Sequence, residues 1–237
     1  LQWIGGMGVV VFYIAILPLL GIGGVQLFKA EVPGPVASKI TPRVRETAKL
    51  LWIVYVGFTL LQTIALLLAG VNLFDSICHS FTTIATGGFS TKNESIAYFD
   101  NSAVHYIIIF FMFISGVNFS LHFRAISGDF KIYFRDIEFI VYLLIILFVT
   151  SMIFYSISSF DENFTIENFR ESFFATVCML TGTGFVLGDY EMWPTFVQMI
   201  ILSLMFIGGM GGSTTGGLKI IRIILLGKYT ASETRRM

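Results

Sequence analysis

The sequence is poor in charge and in cysteine, and each scarcity narrows the class of protein. Charged residues make up 13% of the 237 positions, against roughly 25% in soluble domains, which argues against a soluble domain. The two cysteines, Cys78 and Cys178, lie in apolar surroundings and are predicted to be small core residues. The histidines at positions 79, 105 and 122 lack metal-ligand spacing, and no nucleophile–base pair is visible. We therefore expect no enzymatic activity.

Charge is absent from long runs of the sequence, among them 50–71, 106–121 and 139–160. A helix needs about 20 predominantly apolar residues to cross a bilayer, so the first and third runs can span, and the second can with its polar flanks. Only helices or closed barrels satisfy the backbone in lipid, and runs of this length favour helices. The sequence therefore predicts an all-α, polytopic membrane protein.

An internal repeat with an offset of 96 residues organises the chain. Each copy has a long apolar run, a short segment that begins with polar residues, a Gly-Phe turn and a further apolar run. In the two copies these runs and segments lie at about 48–71, 73–85 and 104–123, and at about 138–160, 169–181 and 194–226. The matched pairs are Asn72 and Asn168, Asp75 and Glu171, Ser76 and Ser172, Gly88 and Gly184, and Phe89 and Phe185.

A third sequence match defines the expected boundaries of the repeats. Residues 3–8 (WIGGMG) match 206–211 (FIGGMG) at an offset of 203, about two repeat lengths. We therefore interpret 1–27 as the closing helix of a first repeat, 28–123 as a second repeat that begins with a cytoplasmic linker, and 124–237 as a third. Because the chain opens inside an apolar run that no basic segment precedes, we expect a fragment rather than a cleaved signal peptide.

The two short segments are predicted to be re-entrant half-helices. Asn72 with Asp75, and Asn168 with Glu171, have the spacing of a capping box at a helix start. About twelve helical residues span roughly 18 Å, which is about half a membrane. Such a break at membrane depth survives only where protein or a water-filled path surrounds it.

The basic residues predict which side the half-helices enter. Thirteen of the fifteen Lys and Arg lie in the connections 28–49, 124–136 and 219–237, and only Lys92 and Arg170 lie on the other side. Because cytoplasmic loops are enriched in Lys and Arg, the half-helices are predicted to enter from outside. Nine of the fifteen acids lie on that outer side, which favours attraction of cations.

The glycine turns after the half-helices are the candidate ion-binding site. A helix that ends inside the membrane points its negative end and its free carbonyls toward the centre, and glycine lets the following carbonyls face an ion. An ion would then be held by backbone carbonyls near Gly88 and Gly184, and the resemblance described below implies that this ion is K+. An ordinary turn between packed helices is the alternative. The predicted filter residues are Thr86, Gly87, Gly88, Phe89, Gly182, Thr183, Gly184 and Phe185.

A glycine-dense segment is predicted to unwind the helix of the last apolar run. Six glycines in ten residues disfavour a straight helix, at about 1 kcal/mol each. Close helix packing through small residues is the alternative. Asn118, predicted to lie within a helix, is a candidate pore-lining residue or an interhelical hydrogen-bonding group. The resemblance described below implies a gate at this interruption, formed by Gly208, Gly209, Gly211, Gly212, Ser213, Thr214, Thr215, Gly216 and Gly217.

These motifs together resemble the TrkH/KtrB superfamily of potassium transporters. Residues 80–91 (SFTTIATGGFST) are similar to its second pore loop, and segments 4–8, 30–35, 115–118 and 206–219 match in the same order. The resemblance covers essentially the whole chain. It departs from the family in Gly182-Thr183-Gly184, where Thr-Ala-Gly is more usual, and in lacking the first and fourth pore loops.

The resemblance implies passive K+ transport through a filter of glycine carbonyls, with an intramembrane loop as gate. It further implies a bacterial inner-membrane location, a homodimer in lipid, K+ as the transported ion without a covalent cofactor, and a cytosolic NAD- or ATP-type nucleotide-binding regulator. No nucleic-acid partner is expected. A basic end (Lys219, Arg222, Lys228, Arg235 and Arg236) could contact lipid headgroups or that regulator. The alternatives are a sodium-permeable relative and a secondary transporter with broken helices.

Overall fold

The computed structural model describes residues 1–6, 44–160 and 164–234. Within these residues the one β contact is an isolated parallel bridge between Ile207 and Leu218, and the prediction of an all-α protein is confirmed. A 3-10 turn occupies Ser95–Tyr98. In chain order the α-helices are α1 (Gln2–Gly6), α2 (Val44–Leu68), α3 (Leu73–Ile84), α4 (Ser102–Ser115), α5 (Phe119–Ile126), α6 (Ile132–Arg135), α7 (Ile137–Phe160), α8 (Ile166–Thr181), α9 (Thr195–Leu204) and α10 (Ile220–Thr234).

In the part of the chain that the structure describes, two helices are long and apolar enough to cross a membrane. Their apolar stretches are Leu50–Leu68 in α2, with 19 residues, and Ile137–Phe160, all 24 residues of α7. Large apolar side chains such as Leu144 and Phe148 remain exposed on α7 although its other face is buried. A helix that is apolar on every side suits a lipid environment.

The two short helices lie among the long ones, as the repeat predicts. Helix α3, of 12 residues, packs against α2 and α4, and α8, of 16 residues, packs against α7, α4 and α9. At 1.5 Å per residue both are shorter than the roughly 30 Å of a hydrocarbon core. One face of each is fully buried, with Ile84 in α3 and Phe174 in α8 among the largest enclosed side chains.

A tyrosine on each long helix fastens it to the preceding repeat. The Tyr55 hydroxyl on α2 donates to the carbonyl of Trp3 at 2.7 Å, and the Tyr142 hydroxyl on α7 donates to the carbonyl of Phe113 at 3.2 Å. The hydroxyl of Tyr55 also lies against Gly6, and that of Tyr142 lies against Gly116. In both cases the glycine is three residues after the residue whose carbonyl accepts the hydrogen bond. The contact therefore recurs with the repeat.

The apolar run predicted at 104–123 is not one helix, and that prediction was wrong. Helix α4 ends at Ser115, α5 begins at Phe119, and the two are bent by 101°. The amide of Met210 donates to the carbonyl of Gly116 at 2.9 Å, and the amide of Phe119 donates to the carbonyl of Gly212 at 3.2 Å. Bonds from the glycine-rich segment thus replace those that a continuous helix would make here.

The predicted repeat boundaries fall partly outside the described residues. Of the predicted closing helix 1–27, Gln2–Gly6 is helical and residues 7–27 lie outside the described residues. The motif at 30–35 also lies outside them. The order α2, α3, α4–α5 and then α7, α8, α9–α10 follows the predicted second and third repeats, and the boundaries at 28–123 and 124–237 remain predictions.

Candidate functional site

The first glycine turn follows directly from the end of α3. Asn72 caps this helix by accepting the amide of Asp75 at 2.8 Å, as its spacing predicted. After Ala85 the chain leaves the helix, with positive φ at Thr86 (51°) and at Gly88 (68°). The left-handed region is accessible to glycine without strain, so the turn depends on a glycine at position 88.

Side chains on one face of α3 form hydrogen bonds to the segment that follows this turn. The hydroxyl of Thr82 donates to the carbonyl of Phe89 at 2.8 Å, and His79 Nε2 lies 2.9 Å from the hydroxyl of Ser90. Asp75 accepts the hydroxyl of Thr91 at 2.5 Å and pairs with the ammonium of residue 92 at 3.1 Å. Positions 75, 79 and 82 are one and two turns apart and share a face. This row was missed, although the i, i+4, i+7 spacing of polar residues on a short helix was a readable signal.

The second glycine turn follows α8 in a similar way. Thr165, not Asn168, caps this helix by accepting the amide of residue 168 at 3.1 Å, so the predicted capping residue was wrong. The threonine precedes the longer helix by one residue, and its hydroxyl reaches the third amide. Helix α8 ends at Thr181, and its C-cap Gly182 (φ 67°) and then Gly184 (φ 82°) adopt the left-handed region.

Cys178 occupies in α8 the position that Thr82 occupies in α3. Its sulfur donates to the carbonyl of Phe185 at 3.2 Å, just as the threonine donates to the carbonyl of Phe89. Cys178 is fully buried, which confirms it as a core residue, and its hydrogen bond was not foreseen. An equivalent donor thus fixes the carbonyl of the aromatic residue after each glycine turn.

The two glycine turns lie against each other. A Cβ on Gly88 would collide with the carbonyl oxygen of Thr183, and the side chain of Gln2 lies against Gly87. Phe185 is fully buried, whereas Phe89 is 73% exposed. The eight predicted filter residues therefore form two neighbouring turns that differ in how their aromatic residue packs.

The predicted gate segment forms a loop between α9 and α10. Its two ends are joined, because the amide of Gly208 donates to the carbonyl of Leu218 at 2.9 Å and the amide of Leu218 donates to the carbonyl of Phe206 at 3.0 Å. Gly212 (φ 78°) and Gly217 (φ 69°) adopt the left-handed region, which a helix cannot accommodate. The predicted interruption of the helix is confirmed.

The tip of this loop reaches the end of α3 and the first glycine turn. The hydroxyl of Thr214 donates to the carbonyl of Ile84 at 3.0 Å and to that of Ser115 at 3.2 Å. The hydroxyl of Thr86 donates in turn to the carbonyl of Thr214 at 3.0 Å. The loop therefore touches the residues that begin the first turn.

Polar groups within the loop bond to one another. The amide of Gly209 donates to the hydroxyl of Thr215 at 3.0 Å, and that hydroxyl lies 2.7 Å from the hydroxyl of Ser213. The ammonium of Lys219 donates to the carbonyl and to the hydroxyl of Thr215. Backbone groups that the broken helix leaves unsatisfied are thus paired with side chains.

Asn118 lies at the break between α4 and α5. The prediction that it lies within a helix was therefore wrong. Asn118 caps α5 by accepting the amide of Ser120 at 2.8 Å, because Asn is favoured where a helix starts. A Cβ on Gly212 would lie 3.0 Å from its Oδ1, so the side chain borders the loop. A pore-lining role for Asn118 remains a prediction.

Comparisons with known proteins agree on one family. The family model TrkH, described as a cation transport protein, matches residues 1–236. The chain is 45% identical over 242 residues to the Trk system potassium uptake protein TrkH of Salmonella typhimurium, covering 100% of this chain and 50% of that protein. It is 41% identical over 242 residues to the Trk system potassium uptake protein TrkG of Escherichia coli (strain K12), covering 100% of this chain and 49% of that protein.

A solved structure is similar over the same extent. The crystal structure of the potassium transporter TrkH from Vibrio parahaemolyticus superposes with a TM-score of 0.83 at 40% sequence identity, covering 99% of this chain and 48% of that one. The chain therefore spans about half the length of the curated relatives that it matches.

Proposed function

The chain belongs to the TrkH family of cation transport proteins, and from this premise we propose that it is the central part of a potassium uptake pore. The relatives named above are potassium uptake proteins, and none of the chemistry of an enzyme is needed for that task. We assign to this chain two of the loops of a K+ filter and a loop that gates it.

One observation carries the filter proposal: the two glycine turns are built alike and lie together. Each follows the C-terminus of a short helix, has glycine in the left-handed region, and has its aromatic carbonyl fixed by a donor from that helix. The partial negative charge at a helix C-terminus favours a cation, and a ring of carbonyls can replace the hydration shell of K+. The chemistry is binding and release, with no covalent step.

The position of the glycine-rich loop supports a gating role. Its tip is fastened to the first turn and to the end of α3 by the Thr214 and Thr86 hydroxyl bonds described above. At about 1 kcal/mol net for each hydrogen bond, a few such contacts hold the loop within the range that a bound regulator can shift.

The test of the filter uses the whole subunit, of which this chain is a part. We expect Gly88→Ser and Gly184→Ser each to lower the ratio of K+ to Na+ flux several-fold, because a side chain strains a backbone with positive φ. The effect should be larger at Gly88, where a Cβ meets the Thr183 carbonyl, than at Gly184, where the space is open.

The matched control is Gly227→Ser in α10, where a Cβ meets nothing within 4 Å and φ is not positive. The control should retain the wild-type ratio. If both filter variants also retain it, the turns are packing elements and the filter assignment is wrong. A wild-type subunit that passes Na+ as readily as K+ would favour the sodium-permeable alternative.

The proposal also covers the membrane in which the subunit lies and the proteins that it binds. We assign the subunit to the inner membrane of a bacterium, in lipid, as a homodimer with a cytosolic nucleotide-binding regulator. The apolar helices α2 and α7 and the concentration of basic residues on one side support the membrane placement. By the distribution of Lys and Arg, both short helices enter from the same side of the membrane, which favours a channel-like pore over inverted transporter repeats.

A further inference from the structure

Glu138 lies where the cytoplasmic connection 124–136 enters the bundle. It is the second residue of α7, after Asp136, which accepts the amide of Phe139 at 3.0 Å and so caps the helix. A carboxylate in the first turn is favoured by the helix dipole. Its side chain is half-buried and points away from the connection toward the glycine-rich loop.

One oxygen of Glu138 binds both sides of that loop. Its Oε1 accepts the amide of Gly211 at 2.7 Å and the amide of Ile221 at 3.0 Å. Gly211 comes before the loop tip, and Ile221 lies in the first turn of α10 beyond it. Amides in the first turn of a helix have no partner within the helix, so Glu138 caps α10 from another helix.

Charge strengthens the same arrangement. Lys219 lies between the two bound amides in sequence, and its ammonium and the carboxylate of Glu138 attract each other. The ammonium is itself bonded to Thr215 within the loop. Hydrogen bonds to a charged acceptor are roughly twice as strong as neutral ones, so a carboxylate at this place holds the loop more strongly than a neutral acceptor would.

We propose that Glu138 is the positioning residue of the gate: it fastens both ends of the loop to the start of α7. A displacement of the connection 124–136 at the start of α7 would then reach the loop through this carboxylate, in addition to the bond between the Phe119 amide and the Gly212 carbonyl. The proposal rests on the gating role proposed above. It assigns to Glu138 the coupling between a cytoplasmic regulator and the loop, which a residue that only stabilises the fold would not provide.

The test measures K+ flux of the full-length subunit in liposomes, with and without its regulator. Glu138→Ala should raise the regulator-independent flux on the order of tenfold, because two charge-assisted bonds that favour the closed loop are lost. Glu138→Gln keeps an acceptor oxygen without the charge and should give an intermediate increase. The K+/Na+ ratio should remain that of the wild type in both.

The matched control is Glu167→Gln. Glu167 is likewise the second residue of its helix, α8, and it is exposed on the opposite, predicted outer side. Its flux should equal that of the wild type. An equal increase in this control would overturn the proposal, because loss of any acid would then suffice.

A loop variant lacking residues 213–215 distinguishes a failure of the Glu138 proposal from a failure of the gate assignment. If the deletion raises flux and Glu138→Ala adds nothing to it, both act through the loop, as proposed. If the deletion raises flux but Glu138→Ala alone matches the wild type, Glu138 does not position the gate. If the deletion alone changes nothing, the gate assignment fails and this inference fails with it.

Hydrogen exchange covers the case in which Glu138→Ala fails to fold. In the Glu138→Gln subunit the amides of 208–221 should exchange several-fold faster than in the wild type, while those of α8 remain unchanged. Equal rates at 208–221 would overturn the proposal.

Discussion

At the scale of single residues, the segment that follows each glycine turn accepts a hydrogen bond from one side chain of the preceding helix. Thr82 and Cys178 differ in chemistry, yet both bind the carbonyl of the aromatic residue that follows the filter glycine. The conservative step from hydroxyl to thiol keeps a donor at that place, although the thiol is the weaker one. Carbonyl orientation in the proposed filter is therefore set from the helix side.

Replacing that donor tests its role in selectivity. Thr82→Val keeps the shape and removes the hydroxyl, at a cost of about 0.5–1.5 kcal/mol for the lost bond. We expect a several-fold lower K+/Na+ flux ratio. Cys178→Ala should act in the same direction, while Cys178→Ser, which keeps a donor, should remain near the wild type.

The control for this series is Thr63→Val in α2. Its hydroxyl donates to the carbonyl of Thr59 in its own helix at 2.8 Å and takes no part in either turn. The flux ratio should be unaffected by it. An unchanged ratio in Thr82→Val and in Cys178→Ala would mean that the carbonyls keep their orientation without these donors.

At the scale of elements, glycines allow helices of successive repeats to approach closely. Gly116, at the end of α4, lies against the hydroxyl of Tyr142 on α7, and Gly6 lies in the same relation to Tyr55 on α2. The two tyrosines are fully buried. Backbone and ring thus touch where any side chain would separate the repeats.

Gly116→Ala should lower the thermal stability of the subunit because its Cβ would collide with the tyrosine hydroxyl and Cζ. Overpacking of this kind costs about 1–3 kcal/mol. Adding Tyr142→Phe removes the colliding oxygen and should restore part of the loss in a melting experiment. If the double variant loses as much stability as the two single variants lose together, or more, the collision does not cause the loss in Gly116→Ala.

The glycine-rich loop is the element on which regulation is expected to act. Gly212→Ala and Gly217→Ala place a side chain where φ is positive, which costs about 1–2 kcal/mol each and weakens the closed loop. We expect roughly tenfold changes in regulator-dependent K+ flux with an unchanged K+/Na+ ratio. Gly57→Ala in α2, where a Cβ meets nothing, is the control. Changes in selectivity rather than in gating would contradict this view.

At the scale of the whole molecule, the chain separates charge between its two predicted sides. Thirteen of the fifteen basic residues lie in the predicted cytoplasmic connections, and nine of the fifteen acids lie on the predicted outer side. An acidic mouth raises the local concentration of cations, and a basic inner face suits an acidic partner or lipid.

Neutralising Arg222, Lys228, Arg235 and Arg236 together tests whether the basic end binds the regulator. Exposed ion pairs contribute about 0.5 kcal/mol each, so the four changes should weaken binding by roughly thirtyfold at low salt. The salt dependence of binding should fall as well. Unaltered affinity and salt dependence would assign this surface to lipid headgroups instead.

Much of this molecule is determined by local sequence. Long charge-free runs determine α2 and α7, because an apolar helix satisfies its own backbone in lipid. The Asn72 cap, the positive φ at Gly88 and Gly184, and the break at 208–217 follow from residue types whose conformational preferences are strong enough to act alone.

Tertiary structure decided the features that need a partner far away in the chain. The sequence at 104–123 is apolar enough for one helix, yet amides of the glycine-rich loop bind its carbonyls and bend it at Gly116. The same holds for Thr214 at the carbonyl of Ile84, 130 positions away, and for Glu138 at Gly211, 73 positions away. No local preference encodes such pairs, because their energy exists only once the helices have packed and water has left the groups that bond.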